Sequence, residues 1–106
     1  MTFESLFTTM KEIFIKADVR DSHSHMAFEF RVQGEAAGVF YVEIREGQIS
    51  VEPYEYHDRN ALFIADGETY LEICQGELNP MLAFAVGRLK VEGDLSKAQL
   101  IRTLLV

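Results

Sequence analysis

The stretch that decides the fold is residues 76–95, "GELNPMLAFAVGRLKVEGDL". Gly76 predicts the end of one helix, and the Asn-Pro pair at 79–80 predicts the start of the next, since asparagine caps helices and proline favours their first turn. Gly87 predicts the end of that helix, and the alternating "RLKVE" predicts a short strand. Gly93 allows a sharp turn out of the strand. The stretch therefore predicts helix, strand and helix in succession.

The last helix is predicted from its own start signals. Ser96 and Gln99 have the spacing of a capping box, and Leu95 with Leu100 fits a hydrophobic staple. We expect this helix to run to the chain end. Its buried stripe is predicted to contain Leu100, Ile101, Leu104 and Leu105.

The first part of the chain changes its period once. Residues 3–17 follow a helical period with one broad apolar stripe. From residue 27 the period is two, in "AFEFRVQ", "VFYVEIR" and "ISVEP", which are separated by glycine-containing turns. These three segments predict an antiparallel meander with one buried face and one wet face.

A fourth strand and a further helix follow the loop "YEYHDRN". The run "ALFIA" at 61–65 is continuously apolar, which predicts a strand covered on both faces or lying in mid-sheet. Asp66 is a plausible N-cap for the helix that Gly76 ends. The complete pattern predicts an α+β fold: a five-stranded, mainly antiparallel sheet with helices packed on one face, forming a single domain over residues 1–106.

Composition excludes several classes of function. The net charge of −7 disfavours binding to nucleic acid and to anionic membranes. No run of the chain approaches the roughly 20 apolar residues of a membrane-spanning helix, so stable membrane insertion is not expected. The lone Cys74 cannot form an internal disulfide, and the first residues lack a basic secretory signal. We therefore expect a cytoplasmic protein without a cofactor.

Nearly the whole chain resembles the sterol carrier protein type 2 family, most specifically over residues 61–105. The matching residues are Gly76, Leu78, Pro80, Ala83, Phe84, Gly87, Leu89, Lys90, Gly93, Asp94 and Leu95. The strands come in the order that the family has. Two departures are Asn79, where the family often has aspartate, and a short C-terminal helix.

The resemblance implies the sterol carrier fold and a non-catalytic function. In that family an apolar tunnel between sheet and helices holds a fatty-acyl chain, a sterol or another elongated apolar molecule. Residues that would line a lipid-binding tunnel here are, from the sheet, Phe28, Phe30, Phe40, Val42 and Phe63. From the helices they are Leu71, Leu78, Met81, Phe84, Leu100 and Leu104.

Two other functions remain open. One is a non-catalytic interaction module without a physiological lipid, in which the apolar faces fill the core or form a homodimer interface. A small enzyme would have to use His57 or Cys74, yet neither lies in a recognisable catalytic motif.

The remaining polar motifs give weak signals. His23 and His25 are two residues apart, but no third metal ligand lies nearby in the sequence. No metal site is therefore expected. The aromatic loop at 54–60 is a candidate gate for a tunnel mouth.

Overall fold

The structure is a computed structural model that describes residues 1–22 and 24–101. No helix of these residues has the length and apolar character needed to cross a membrane. The helices and strands in chain order are α1 (Phe3–Ile15), β1 (Met26–Gln33), β2 (Gly38–Arg45), β3 (Gln48–Glu52), β4 (Ala61–Asp66), α2 (Gly67–Cys74), α3 (Pro80–Ala85), β5 (Lys90–Gly93) and α4 (Leu95–Ala98).

The five strands form one mixed sheet in the order β3-β2-β1-β4-β5. Strands β1 and β4 pair in parallel, and the other three pairs are antiparallel. The predicted α+β fold with a mainly antiparallel sheet is confirmed. Strand β4 lies between β1 and β5, which explains why its sequence is continuously apolar.

Aromatic rings fill the centre of the core. The Phe30 ring stacks between Phe40 and Phe63, with centroid distances of 4.9 Å on each side. Phe14 of α1 lies 5.4 Å from the same ring, and Tyr70 of α2 meets it edge-on at 6.0 Å. The helices thus pack on the face of the sheet that carries these phenylalanines, as predicted. No room remains around Phe30 itself.

The face of the sheet opposite the helices is partly covered by a loop, although the sequence predicted that this face is exposed to water. Glu29 of β1 has an exposed fraction of 0%. Its carboxylate accepts a hydrogen bond from the Tyr56 N–H at 2.9 Å and binds the Arg31 and Arg59 guanidinium groups at 3.0 and 3.3 Å. The prediction that this face is wet is wrong at Glu29, because the loop after β3 folds back over it.

All four described α-helices begin at side-chain caps, and α1 is capped by Thr2, whose hydroxyl accepts from the Ser5 N–H. Asp66 accepts from the Thr69 N–H and Asn79 from the Met81 N–H, so both predicted N-caps are confirmed. The last helix begins at Asp94 rather than at Ser96. The Asp94 carboxylate accepts from the Ser96 N–H and hydroxyl and from the Lys97 N–H, so the Ser96 hydroxyl is already bonded within the first turn.

The described part of that helix is short. Helix α4 covers Leu95–Ala98, and helical geometry resumes at residues 100–101. The predicted continuation to the chain end, including Leu104 and Leu105, lies outside the described residues.

Candidate functional site

An apolar groove lies between strands β4 and β5 and the two short helices α3 and α4. Its volume is about 120 Å³. Gln99 contributes the one polar side chain among its lining residues. The lining residues are Phe63, Pro80, Met81, Phe84, Leu89, Val91, Leu95, Ala98, Gln99 and Ile101.

The floor and the rim of the groove differ in exposure. Leu89 and Ile101 are buried, with exposed fractions of 6% and 3%. Met81, Phe84 and Leu95 line the groove and are nevertheless 45%, 45% and 52% exposed. Such half-exposed apolar side chains beside an apolar groove are typical of a ligand-binding surface.

Helix α3 is held against the protein at one residue and at its C-terminal end. Ala83 is completely buried, and its carbonyl oxygen accepts hydrogen bonds from the N–H groups of Arg88 and Leu89. The Arg88 guanidinium donates to the Thr69 hydroxyl at 3.1 and 3.2 Å and also binds the Glu72 carboxylate. The connection from α3 to β5 is therefore fastened to α2.

A second depression lies beside the groove and shares Pro80 with it. It has a volume of about 460 Å³ and is lined by Ile73, Cys74, Gln75, Gly76, Leu78, Asn79 and Pro80. Burial raises the pKa of the Cys74 thiol to about 11, so the thiol is protonated at neutral pH. This state gives Cys74 the character of a small apolar residue rather than a nucleophile.

The predicted tunnel residues separate into distinct places. Phe63, Met81 and Phe84 line the groove, and Leu78 lines the neighbouring depression. Four residues are packed in the core and line neither the groove nor the depression: Phe28, Phe30, Phe40 and Val42. Which of these side chains contacts a ligand stays a prediction.

The other described residues predicted from the helices, Leu71 and Leu100, do not line the groove. Leu71 lies in a depression with Met1 and Ala36, near the start of α1. Leu100 is 39% exposed and does not line the groove. Leu104 lies outside the described residues.

Several lining residues were absent from the predicted tunnel, although the sequence contained signals for them. Alternation in "RLKVE" points Leu89 and Val91 inward. Leu95 was assigned only to a staple, and Gln99 only to a capping box. Their role in the groove depends on how β5 and α4 meet, which the periodicity of either element does not reveal.

A polar cluster occupies the sheet face opposite the groove. The Glu43 carboxylate lies 2.6 Å from His25 Nε2 and 3.1 Å from Arg45, and it accepts the Tyr56 hydroxyl hydrogen at 2.8 Å. Burial tends to raise the pKa of Glu43, but the bonds from Tyr56 and His25 hold the pKa below its usual value. The cluster is a set of satisfied ion pairs that fixes the loop.

This arrangement separates the polar motifs from the groove. The predicted gating role of the loop at 54–60 is wrong, because Tyr56 and Arg59 bind Glu29 on the far face. Within residues 1–22 and 24–101, no cluster of three or more His, Cys, Asp or Glu residues is arranged to hold a metal ion. His23 lies outside the described residues. His57 is exposed, 3.6 Å from Glu55.

Comparison with known proteins identifies related sequences. The model of the SCP-2 sterol transfer family matches residues 3–106. Sterol carrier protein 2 of Arabidopsis thaliana is 30% identical over 60 residues, which cover 57% of this chain and 49% of that protein. Hydroxysteroid dehydrogenase-like protein 2 of Danio rerio is 28% identical over 96 residues, which cover 88% of this chain and 22% of that protein. The matches thus span about half of one relative and a smaller part of the other.

A solved structure has the same fold. Sterol Carrier Protein-2 from Aedes aegypti, in complex with the C16 fatty acid palmitate, aligns with a TM-score of 0.71 and 13% identity. The alignment covers 100% of this chain and 96% of that one. At this level of identity the comparison establishes a shared architecture.

Proposed function

The chain belongs to the SCP-2 sterol transfer family, and from this premise we propose that it binds and carries an elongated apolar ligand. The ligand is a fatty-acyl chain, a sterol-like molecule or a similar lipid, and the binding site is the groove beneath α3 and α4. Carriage means that an apolar chain is removed from water and later released, with no bond made or broken. The observation that carries the proposal is the apolar groove with its half-exposed rim.

The chemistry of the groove suits the apolar end of such a ligand. An apolar chain leaves no polar group unsatisfied when it contacts these walls, whereas a buried ionised group would require a partner. Gln99 offers one neutral amide for an oxygen or hydroxyl of the ligand. The polar end of the ligand is therefore expected to remain at the rim, near water.

The size of the groove limits how much of a ligand it holds as it stands. An engineered cavity of about 150 Å³ holds one benzene molecule, so a groove of about 120 Å³ accepts roughly five carbon atoms. At about 0.8 kcal/mol per methylene, this burial is worth roughly 4 kcal/mol. That energy corresponds to a dissociation constant of about 1 mM. Tighter binding requires more of the chain to be enclosed.

Two features supply the additional enclosure. The depression that shares Pro80 with the groove continues the surface toward Leu78, so a longer chain has a path past the start of α3 toward the end of α2. Ala83 is the one buried side chain of α3, so an outward shift of the helix about its C-terminal anchor at Arg88 exposes little further core. We infer that a long ligand lies along the groove and the depression together, with α3 adjusting over it.

A titration with palmitate tests the proposal. The chain is delipidated, and palmitate binding is measured by calorimetry for the unmodified protein, for Phe84→Ser and for Tyr54→Ser as the matched control. Tyr54 is an aromatic residue with an exposed fraction of 65% and lies outside the groove. We expect Phe84→Ser to weaken binding about tenfold, and Tyr54→Ser to leave it unchanged. Equal binding by all three proteins, or none by the unmodified protein, would refute the proposed site.

One observation favours the alternative of an interaction module. The Phe30, Phe40 and Phe63 stack fills the centre of the domain, where a long tunnel would have to run. A chain that purifies without lipid, binds no palmitate and sediments as a tight dimer would establish this alternative. A co-purifying acyl or sterol mass would establish carriage.

A further inference from the structure

Exposed apolar side chains are concentrated around the mouth of the groove. Among the described residues, the large hydrophobic side chains that are exposed there are Met81, Leu82, Phe84, Val86, Leu95 and Leu100. In the rest of the described chain, the exposed large hydrophobic side chains are Met1, Ile15 and Tyr54. A concentration of this kind marks a surface that another apolar body covers.

Three of these residues, Leu82, Val86 and Leu100, do not line the groove, and the first two belong to the α3 segment. Leu82 and Val86 are 54% and 60% exposed, and neither lines the groove or the neighbouring depression. Val86 is the C-cap of α3, and its N–H donates to the Leu82 carbonyl oxygen at 3.0 Å, so the two residues are one turn apart on the same side of the helix. Ala83 is the buried residue that holds the helix to the protein. Leu82 and Val86 therefore extend the apolar surface outward from the rim.

The same segment carries no charge. Residues 78–87, "LNPMLAFAVG", contain no acidic or basic side chain, in a protein with a net charge of −7. The guanidinium of Arg88, which follows, is already bound to Thr69 and Glu72. Attraction of an anionic phosphate surface requires free basic groups near the contact, and this segment offers none.

We propose that α3 is the membrane-docking surface of this protein and that its partner is an uncharged, zwitterionic lipid bilayer. The proposal rests on the proposed function, because docking there brings the groove against the membrane. Leu82 and Val86 enter the boundary between headgroups and acyl chains, as apolar faces of interfacial helices do. Met81 and Phe84 lie on the other side of the helix and line the groove beneath it, so a lipid chain has only to pass around α3 from the bilayer into the groove.

A second copy of the chain fits this surface less well. Helix α3 has six residues, and at ~1.5 Å per residue it is only about 9 Å long. A stable protein interface buries about 800 Å² on each partner, which requires several elements of this size. A protein seated on α3 would also close the groove mouth. A shallow, weak contact with a lipid surface requires neither a large area nor a closed mouth.

The test separates docking from ligand binding. Co-sedimentation with phosphatidylcholine vesicles is measured for the unmodified chain, for the double variant L82S/V86S and for Ile15→Ser, whose side chain is 50% exposed on α1. We expect the double variant to bind vesicles about tenfold more weakly and Ile15→Ser to bind normally. Adding phosphatidylserine is expected to give no increase at low salt. Binding of palmitate in solution, without vesicles, is expected to be unchanged in all three.

Each contrary result has a distinct meaning. No vesicle binding by the unmodified chain, or equal binding by the double variant, overturns the docking surface. If vesicle binding requires phosphatidylserine and is lost when salt is added, the proposal that the partner is an uncharged bilayer is overturned. If the unmodified chain self-associates and L82S/V86S does not, a second copy of the chain covers this surface, and the proposal of a lipid bilayer is overturned. Failure of palmitate binding with normal vesicle docking refutes the proposed function while the docking surface stands.

Discussion

The backbones of Asn60 and Gly93 meet where β5 ends and α4 begins. Gly93 has a φ of +97°, and a Cβ at this position would lie 2.5 Å from the Asn60 carbonyl oxygen. The same oxygen accepts the Asp94 N–H at 2.8 Å, while Asn60 Oδ1 accepts the Ala27 N–H at 2.9 Å. Asn60 thus joins the sheet to the start of α4, which forms one wall of the groove.

Replacing Gly93 with alanine is expected to destabilise the fold strongly, because the new methyl group collides with backbone in a strained conformation. We expect a loss of about 2–4 kcal/mol in the free energy of unfolding. Gly87→Ala is the matched control, since Gly87 also has a positive φ of +81° but no atom within 4 Å of the added Cβ. Its expected loss is about 1 kcal/mol. Denaturant titration measures both, and equal losses would contradict this account of the junction.

The core and the rim contain phenylalanines with different functions. Phe30→Ala removes a completely packed ring and is expected to cost about 3–5 kcal/mol of stability. Phe84→Ala removes a side chain that is 45% exposed, so its expected cost is below about 1 kcal/mol. Thermal unfolding checks the stabilities. A large loss for Phe84→Ala would show that α3 belongs to the structural core.

Glu29 is predicted to fix the loop on the far face without affecting the groove. Glu29→Gln keeps the shape of the side chain but weakens its contacts with Arg31 and Arg59, at an expected cost of about 1–3 kcal/mol. Limited proteolysis is expected to cut the loop at 53–60 faster in this variant. Glu55→Gln, at an exposed site in the same loop, is the control. Weaker palmitate binding by Glu29→Gln would contradict the separation of the two faces.

Acid is expected to weaken the start of α2. The hydrogen bond with Thr69 holds the pKa of Asp66 below its ordinary value of 3.8. The folded state therefore binds fewer protons, and the stabilisation is present above that value and lost as pH falls through the lowered pKa. Asp66→Asn keeps a capping side chain that does not titrate. Between neutral pH and about pH 3, the unfolding free energy of this variant is expected to fall less than that of the unmodified chain. An equal fall would contradict the assignment of the acid sensitivity to Asp66.

The starts and ends of the helices could be predicted because the residues that cap a helix lie next to it in the sequence. Asp66 and Asn79 sit directly before the helices that they cap, and Gly87 follows the helix that it ends. The predicted cap at Ser96 was two residues too late, because Asp94 caps the helix and the Ser96 side chain takes part in the same turn.

The groove and the far face depended on contacts between distant residues. Alternation correctly placed Phe28 and Phe30 toward the helices, but it does not tell whether neighbouring rings fill the space or leave a tunnel. Burial of Glu29 required the loop after β3 to return to β1, and a period-two pattern carries no information about that return. The distribution of Met81 and Phe84 between groove and solvent likewise depends on how α3 is seated.

The most direct test of the central claim is to locate a bound palmitate chain by nuclear Overhauser effects to methionine methyl groups. Met81 lines the groove, whereas Met10 is completely buried under α1 and provides the internal control. If the groove is the binding site, the chain protons show effects to the Met81 methyl and none to the Met10 methyl. Bound palmitate that contacts Met10, or that contacts neither methyl, would contradict the account.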